Sequence, residues 1–160
     1  MVRVNVGIDP CDLTDEHLRA ENVELQMLIT WAIKYPEGYI PEKFSLGTGH
    51  ISFFRDKLKY IFNRLNSVQG EMVHRDMKVN ICYLDIWFSV RQQICTFNYK
   101  NYNPTKEDAK IVAERLVDRI LYPKKQKTSP HYNGKSVNRW EFIARYNPYS
   151  RTNIIVIGGN

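Results

Sequence analysis

Cysteine is too sparse and too poorly spaced to organise this chain. Its 160 residues include three, Cys11, Cys82 and Cys95, an odd number with no C-x-x-C pair. Neither a disulfide framework nor a zinc site is suggested, and a reducing cytoplasm is the simpler setting. The four histidines, His17, His50, His74 and His131, are scattered without metal-ligand spacing. No metal and no cofactor are therefore expected. Long apolar runs are missing too: none could span a bilayer, and the N-terminus has no apolar signal core. A soluble cytoplasmic protein without membrane attachment is expected. There is no repeat, low-complexity tract or linker, so residues 1–160 read as a single domain.

What is present is ordinary in amount and uneven in placement. Hydrophobic content of 43% and charged content of 25% suit a globular core, and the net charge of +6 leans weakly toward an acidic partner such as nucleic acid. The run Asp15 to Tyr35 predicts a helix, with Thr14 as its cap and Asp15 and Glu16 placed where the helix dipole favours negative charge. Leu18, Leu25, Ile29, Ala32 and Ile33 form its apolar face. His17, Glu21 and Glu24 lie beside that face as a narrow polar stripe. A carboxylate at such a boundary can acquire a pKa useful for proton transfer, although periodicity alone makes Glu24 an ordinary solvated residue.

The rest is legible to different degrees. Met1 to Ile8 alternates like a short strand. Removal of Met1 would expose a Val2 α-amine, which has an ordinary pKa near ~7.7–8.0 and is partly neutral at physiological pH, as an imine-forming amine must be. Leu46 to His50, LGTGH, lacks the length and lysine of a phosphate loop and reads better as a tight turn. A second helix is predicted from Ile51 to about Val68 on the stripe Ile51, Phe54, Leu58, Ile61, Leu65 and Val68. Residues 69–103 receive no assignment beyond a polar loop at Asn98 to Asn103. A third helix starts at the T-x-x-D box of Thr105 and Asp108 and stops at Pro123. Its flank carries Arg115 and Arg119 and runs into Lys124, Lys125 and Lys127, which suits a phosphate backbone about as well as it suits a plain solvated face. The aromatic run Trp140, Phe142, Tyr146 and Tyr149 and the strand-like tail NIIVIGGN close the chain.

Several of these pieces, taken in order, resemble one family. They are V-R-V-N (Val2 to Asn5), D-E-H-L-R-A-E-N-V-E-L (Asp15 to Leu25) and LGTGHISFFRDKL (Leu46 to Leu58). Further on come Y-N-P-T-K-E (Tyr102 to Glu107), A-E-R-L-V-D-R-I (Ala113 to Ile120) and Y-N-G-K (Tyr132 to Lys135). The set resembles the bacteriophage pyrimidine-dimer DNA glycosylases with abasic-site lyase activity, the phage type of endonuclease V. The resemblance implies a mainly α, compact domain of three principal helices with long loops, to which the tail adds a short β element near the C-terminus. Residues 1–137 would be the glycosylase-like core and 138–160 an extension.

The resemblance also implies a site. The Val2 α-amine would attack the sugar C1′ of a damaged or modified nucleotide in double-stranded DNA, and Glu24 would move protons and stabilise the cationic intermediate. Arg3 would lie beside the reacting sugar, with His17 as a further active-site residue. Arg115 and Arg119 fall on positions that hold phosphates. Lys124, Lys125, Lys135 and His50 complete the expected DNA contacts of a monomer acting in a phage-infected host cell. Two of the departures from the family bear on recognition. Val23 and Met27 stand where arginines grip the DNA and the lesion, and neither can bind a phosphate. Lesion recognition is thus thinner than catalysis. The alternatives are a DNA-binding relative with weakened chemistry, or a protein-interaction module docking through the C-terminal strand.

Overall fold

The computed structural model describes residues 4–47, 49–123 and 129–149. The chain is mainly helical. Its three long helices are α1 (Asp15–Lys34), α3 (Leu58–His74) and α5 (Lys106–Leu121), with the shorter α2 (Gly49–Phe53), α4 (Tyr83–Val90) and α6 (Arg139–Ile143) between and after them. Two-residue strands β1 (His131–Tyr132) and β2 (Lys135–Ser136) pair antiparallel. No helix among the described residues is long and apolar enough to cross a membrane. Two units cluster separately, Met1–Val4 with Leu18–Asn103, and Asn5–His17 with Pro104–Asn160.

The first unit is built on α1 and α3. From α1 it buries Leu18, Leu25, Leu28, Ile29 and Ala32, and from α3 Leu58, Ile61, Leu65, Val68 and Met72. Polar groups also cross this interface. Arg64 donates from Nε and Nη2 to the two carboxylate oxygens of Glu21 at 2.8 and 3.0 Å, a bidentate pair inside the core. Gln69 donates at 2.9 Å to Asn22 and to the Ile81 carbonyl, and accepts the Tyr83 N–H at 2.7 Å, fixing the entry into α4. Rings of Phe44, His50, Phe53, Phe54, Tyr60 and Tyr102 fill the space around α2 with mostly edge-to-face contacts.

The second predicted helix is therefore two helices. The chain turns at Phe54 to Asp56 because its backbone is claimed by a distant segment: Leu58 N–H donates to the Asn98 carbonyl at 3.0 Å and Lys100 N–H to the Asp56 carbonyl at 2.9 Å. Arg55, on the same turn, donates to the Tyr35 carbonyl at 2.6 Å and to that of Glu37, closing the end of α1. Gly38 faces this guanidinium at φ +129°, and a Cβ there would lie 3.0 Å from Arg55 Cζ. Beyond the predicted end at Val68, Gln69 and Met72 remain buried, so α3 continues to His74.

In the second unit the N-terminal segment is a turn where alternation predicted a strand. Val6, Ile8 and Leu13 are all buried. Gly7 has φ +72°, and a Cβ there would come within 2.7 Å of Ala109 Cβ, so close contact with α5 requires glycine. The α5 capping box is complete: Thr105 Oγ1 accepts the Asp108 N–H at 3.2 Å, and Asp108 accepts the Thr105 N–H at 2.8 Å.

Residues 139–149 are part of this unit's core. Phe142, Ile143 and Tyr146 are buried, and the Tyr146 hydroxyl donates to the Asp12 carbonyl at 2.9 Å. Of the aromatic run Trp140, Phe142, Tyr146 and Tyr149, Trp140 alone is largely exposed. The strand-like tail lies outside the described residues.

Candidate active site

Local sequence explains how α1 presents its polar stripe. Thr14 Oγ1 accepts the His17 N–H at 3.2 Å, capping the helix, and lies 3.0 Å from His17 Nδ1. The cap thus positions the imidazole as well as the helix start, and His17 is half-buried. Asp15 and Glu16, expected only to satisfy the dipole, also hold the β1–β2 hairpin. Asp15 accepts the N–H groups of Asn133 and Gly134 at 3.0 and 2.8 Å. Both residues have positive φ, 52° and 73°, as a two-residue hairpin turn requires. Glu16 accepts from the His131 N–H at 3.2 Å and lies 2.7 Å from His131 Nδ1. Burial by itself would raise the Glu16 carboxyl, but hydrogen bonds from its own backbone, His131 and Thr14 outweigh it and hold it below the ordinary value.

The two glutamates one turn further on have separate fates. Glu21 is fully buried and committed to Arg64, so it is structural. Glu24 is 6% exposed on the same helix, at the boundary of the first unit's core. Periodicity would have left it in solvent; burial places its carboxylate where the local dielectric is low and its field strong. Beside it on α1, Val23 is 66% and Met27 47% exposed, so the two residues expected to stand at the family's arginine positions face outward.

On α5, Arg115 and Arg119 are both half-buried, one turn apart. The Arg115 guanidinium donates to the Asn5 side chain, itself buried. Asn5 was visible in the sequence only as the last letter of V-R-V-N; its structural office is to aim Arg115. Arg64 was also missed, because a cation off an apolar stripe reads as surface. The sole hint was its placement on a helix long enough to meet the acidic stripe of another.

His50 is a correction. It is fully buried, edge-on to Phe44 and Phe54 with ring centroids 5.2 and 5.0 Å away, and Nδ1 lies 3.3 Å from the Ser45 carbonyl. A phosphate cannot reach it there, so it serves the aromatic core. Lys135 is exposed on β2. Val2, Arg3, Lys124 and Lys125 lie outside the described residues. Among the described residues, no group of three His, Cys, Asp or Glu side chains is placed to hold a metal ion.

Comparison with known proteins adds one match and one blank. A family model described as pyrimidine dimer DNA glycosylase matches residues 1–83, just over half of the chain. No curated protein matches it.

Proposed function

Because the chain belongs to the pyrimidine dimer DNA glycosylase family, we propose that it is a DNA glycosylase with abasic-site lyase activity on damaged or modified pyrimidines in duplex DNA. The observation that carries this reading is Glu24, a carboxylate 6% exposed on α1 inside the matched segment. Val4, fully buried, belongs to the same unit as Glu24.

In this mechanism the neutral Val2 α-amine forms a bond to C1′ as the glycosidic C–N bond breaks and the base departs with that electron pair and a proton. Ring opening gives an iminium ion. Loss of a C2′ proton then expels the 3′ phosphate oxygen from C3′, and water releases the amine. Glu24 has two tasks: to accept and return protons at the sugar, and to oppose the positive charge of the iminium. A buried anion does the second better than a solvated one, since little water screens it. Arg115 and Arg119 hold phosphates, with Lys124, Lys125 and Lys135 as further backbone contacts. Arg3 and His17 act beside the reacting nucleotide.

The test is borohydride trapping on a duplex with one abasic site, with the N-terminus checked by intact mass. Protein lacking Met1 should give a covalent adduct that maps to Val2. Glu24→Gln should lower strand cleavage by at least a hundredfold and leave duplex affinity within about threefold. A second reading, a DNA-binding relative with weak chemistry, is favoured by the outward apolar faces of Val23 and Met27. It requires tight duplex binding with no adduct from correctly processed protein.

A further inference from the structure

Helix α4 presents an apolar composition with no buried face. Six of its eight residues, YLDIWFSV, are large apolar or aromatic, yet none is buried. A helix of this composition ordinarily covers one side against a core. Here Leu84 and Phe88 are 45% and 59% exposed, Ile81 just before them 49%, and Phe97 further on 50%. Ring contacts join the Gln69 hydrogen bonds in anchoring the region. Trp87 meets Phe62 of α3 edge-to-face with centroids 5.1 Å apart, and meets Tyr99 at 5.7 Å. The Trp87–Tyr99 contact brings the two ends of the intervening segment together, so Phe88 and Phe97 stand on one short closed stretch of chain.

Charge distinguishes this surface from a plain docking face. The Arg91 guanidinium lies over the Phe88 ring at 5.0 Å from its centroid, and the Lys100 ammonium over the Phe97 ring at 5.2 Å. Between Ile81 and Lys100 the sole carboxylate is Asp85, and from outside that segment Asp56 reaches the Lys100 ammonium at 3.0 Å, holding it beside the Phe97 ring. Each exposed ring thus has a cation on it, a pairing suited to a ligand that offers flat π faces and negative charge in regular alternation. Bases in a duplex have their faces covered by their neighbours; unpaired bases do not. We propose that α4 and the segment through Lys100 bind single-stranded DNA, with bases stacking on Phe88 and Phe97 and phosphates held by Arg91 and Lys100. Almost all of this surface follows the family-matched segment, which ends at residue 83. It does not depend on the chemistry of Glu24.

The experiment is fluorescence anisotropy of the full chain with a labelled fifteen-residue oligothymidylate, in parallel with cleavage of the abasic duplex. Phe88→Ala with Phe97→Ala should weaken oligothymidylate binding at least tenfold, since each stacked base is worth roughly 1–3 kcal/mol, and leave duplex cleavage unchanged. Phe88→Leu with Phe97→Leu, which keeps apolar area but removes the flat ring, should lose binding as well. Arg91→Ala with Lys100→Ala should reduce the slope of log affinity against log salt by about 1.4. The proposal is overturned if the unaltered chain does not bind the oligonucleotide, or if the alanine pair binds it as well as the parent. It is overturned equally if leucine restores full binding, or if the substitutions instead dissolve a dimer in sedimentation. The last result identifies an apolar face between copies of this chain.

Discussion

Replacing Arg64 with alanine would take from the Glu21 carboxylate the two guanidinium donors that reach it from α3. Breaking a buried pair on one side leaves a charge in a poorly solvating interior, at a cost of about 3–5 kcal/mol. Urea unfolding of Arg64→Ala should show a loss of that size with an unchanged m-value. The joint replacement Glu21→Leu with Arg64→Met should cost less than the single change. Glu21 and Glu24 also show the limit of sequence at this scale. Their spacing along α1 is legible, and it places both on one stripe. Which of them is consumed by the core depends on a side chain 43 positions away from Glu21, and helical periodicity carries no information about that.

At the scale of elements, agreement between local signals decided what could be read. The α5 helix has a cap, an apolar stripe and a proline stop that agree, and its observed span, Lys106–Leu121, follows them. Thr105→Ala should destabilise the protein by about 1 kcal/mol, measured by chemical denaturation, because it removes one half of the capping box. The break between α2 and α3 was illegible for the opposite reason. Its stripe runs on unbroken through Phe54 and Leu58, while the backbone partners that end α2 come from Asn98 and Lys100. Helix α4 escaped assignment since no residue of it is buried, and an amphipathic pattern records burial. The hairpin turn Asn133–Gly134 did carry its local signature, an Asn-Gly pair, while its anchor on Asp15 left none.

At the scale of the whole molecule, three titrating groups among the described residues make stability vary with pH. Asp56 is raised by burial, but Lys57 and Lys100, at 2.7 and 3.0 Å, pull it down further, so its folded pKa lies below the ordinary aspartate value. Its contribution is complete above the unfolded pKa and is lost as pH falls through the folded one. Glu16 behaves in the same sense. Tyr149 is opposite: burial, and then its hydrogen bond to Asp12, raise the phenol to about 12. An unfolded tyrosine titrates near ~10, so that contribution is full below pH 10 and disappears as pH rises toward 12. Thermal unfolding across pH should therefore show a plateau with an acid and an alkaline limb. Asp56→Asn should shrink the first, leaving the Glu16 share, and Tyr149→Phe should shrink the second, each leaving the other limb in place.

The hydrogen bonds that Asp15 accepts from Asn133 and Gly134 join positions up to 119 apart, and those that Asp12 accepts from Tyr146 and Tyr149 join positions 134 and 137 apart. During translation, then, the segment that begins the second unit leaves the ribosome long before its partners exist. The first unit, drawn almost wholly from Leu18–Asn103, has its interior contacts available much earlier. The nascent chain must keep Val6, Ile8 and Leu13 from aggregating through that interval, and nonlocal closure of this kind slows folding. Residues 131–149, made late, help give residues 12–16 their place.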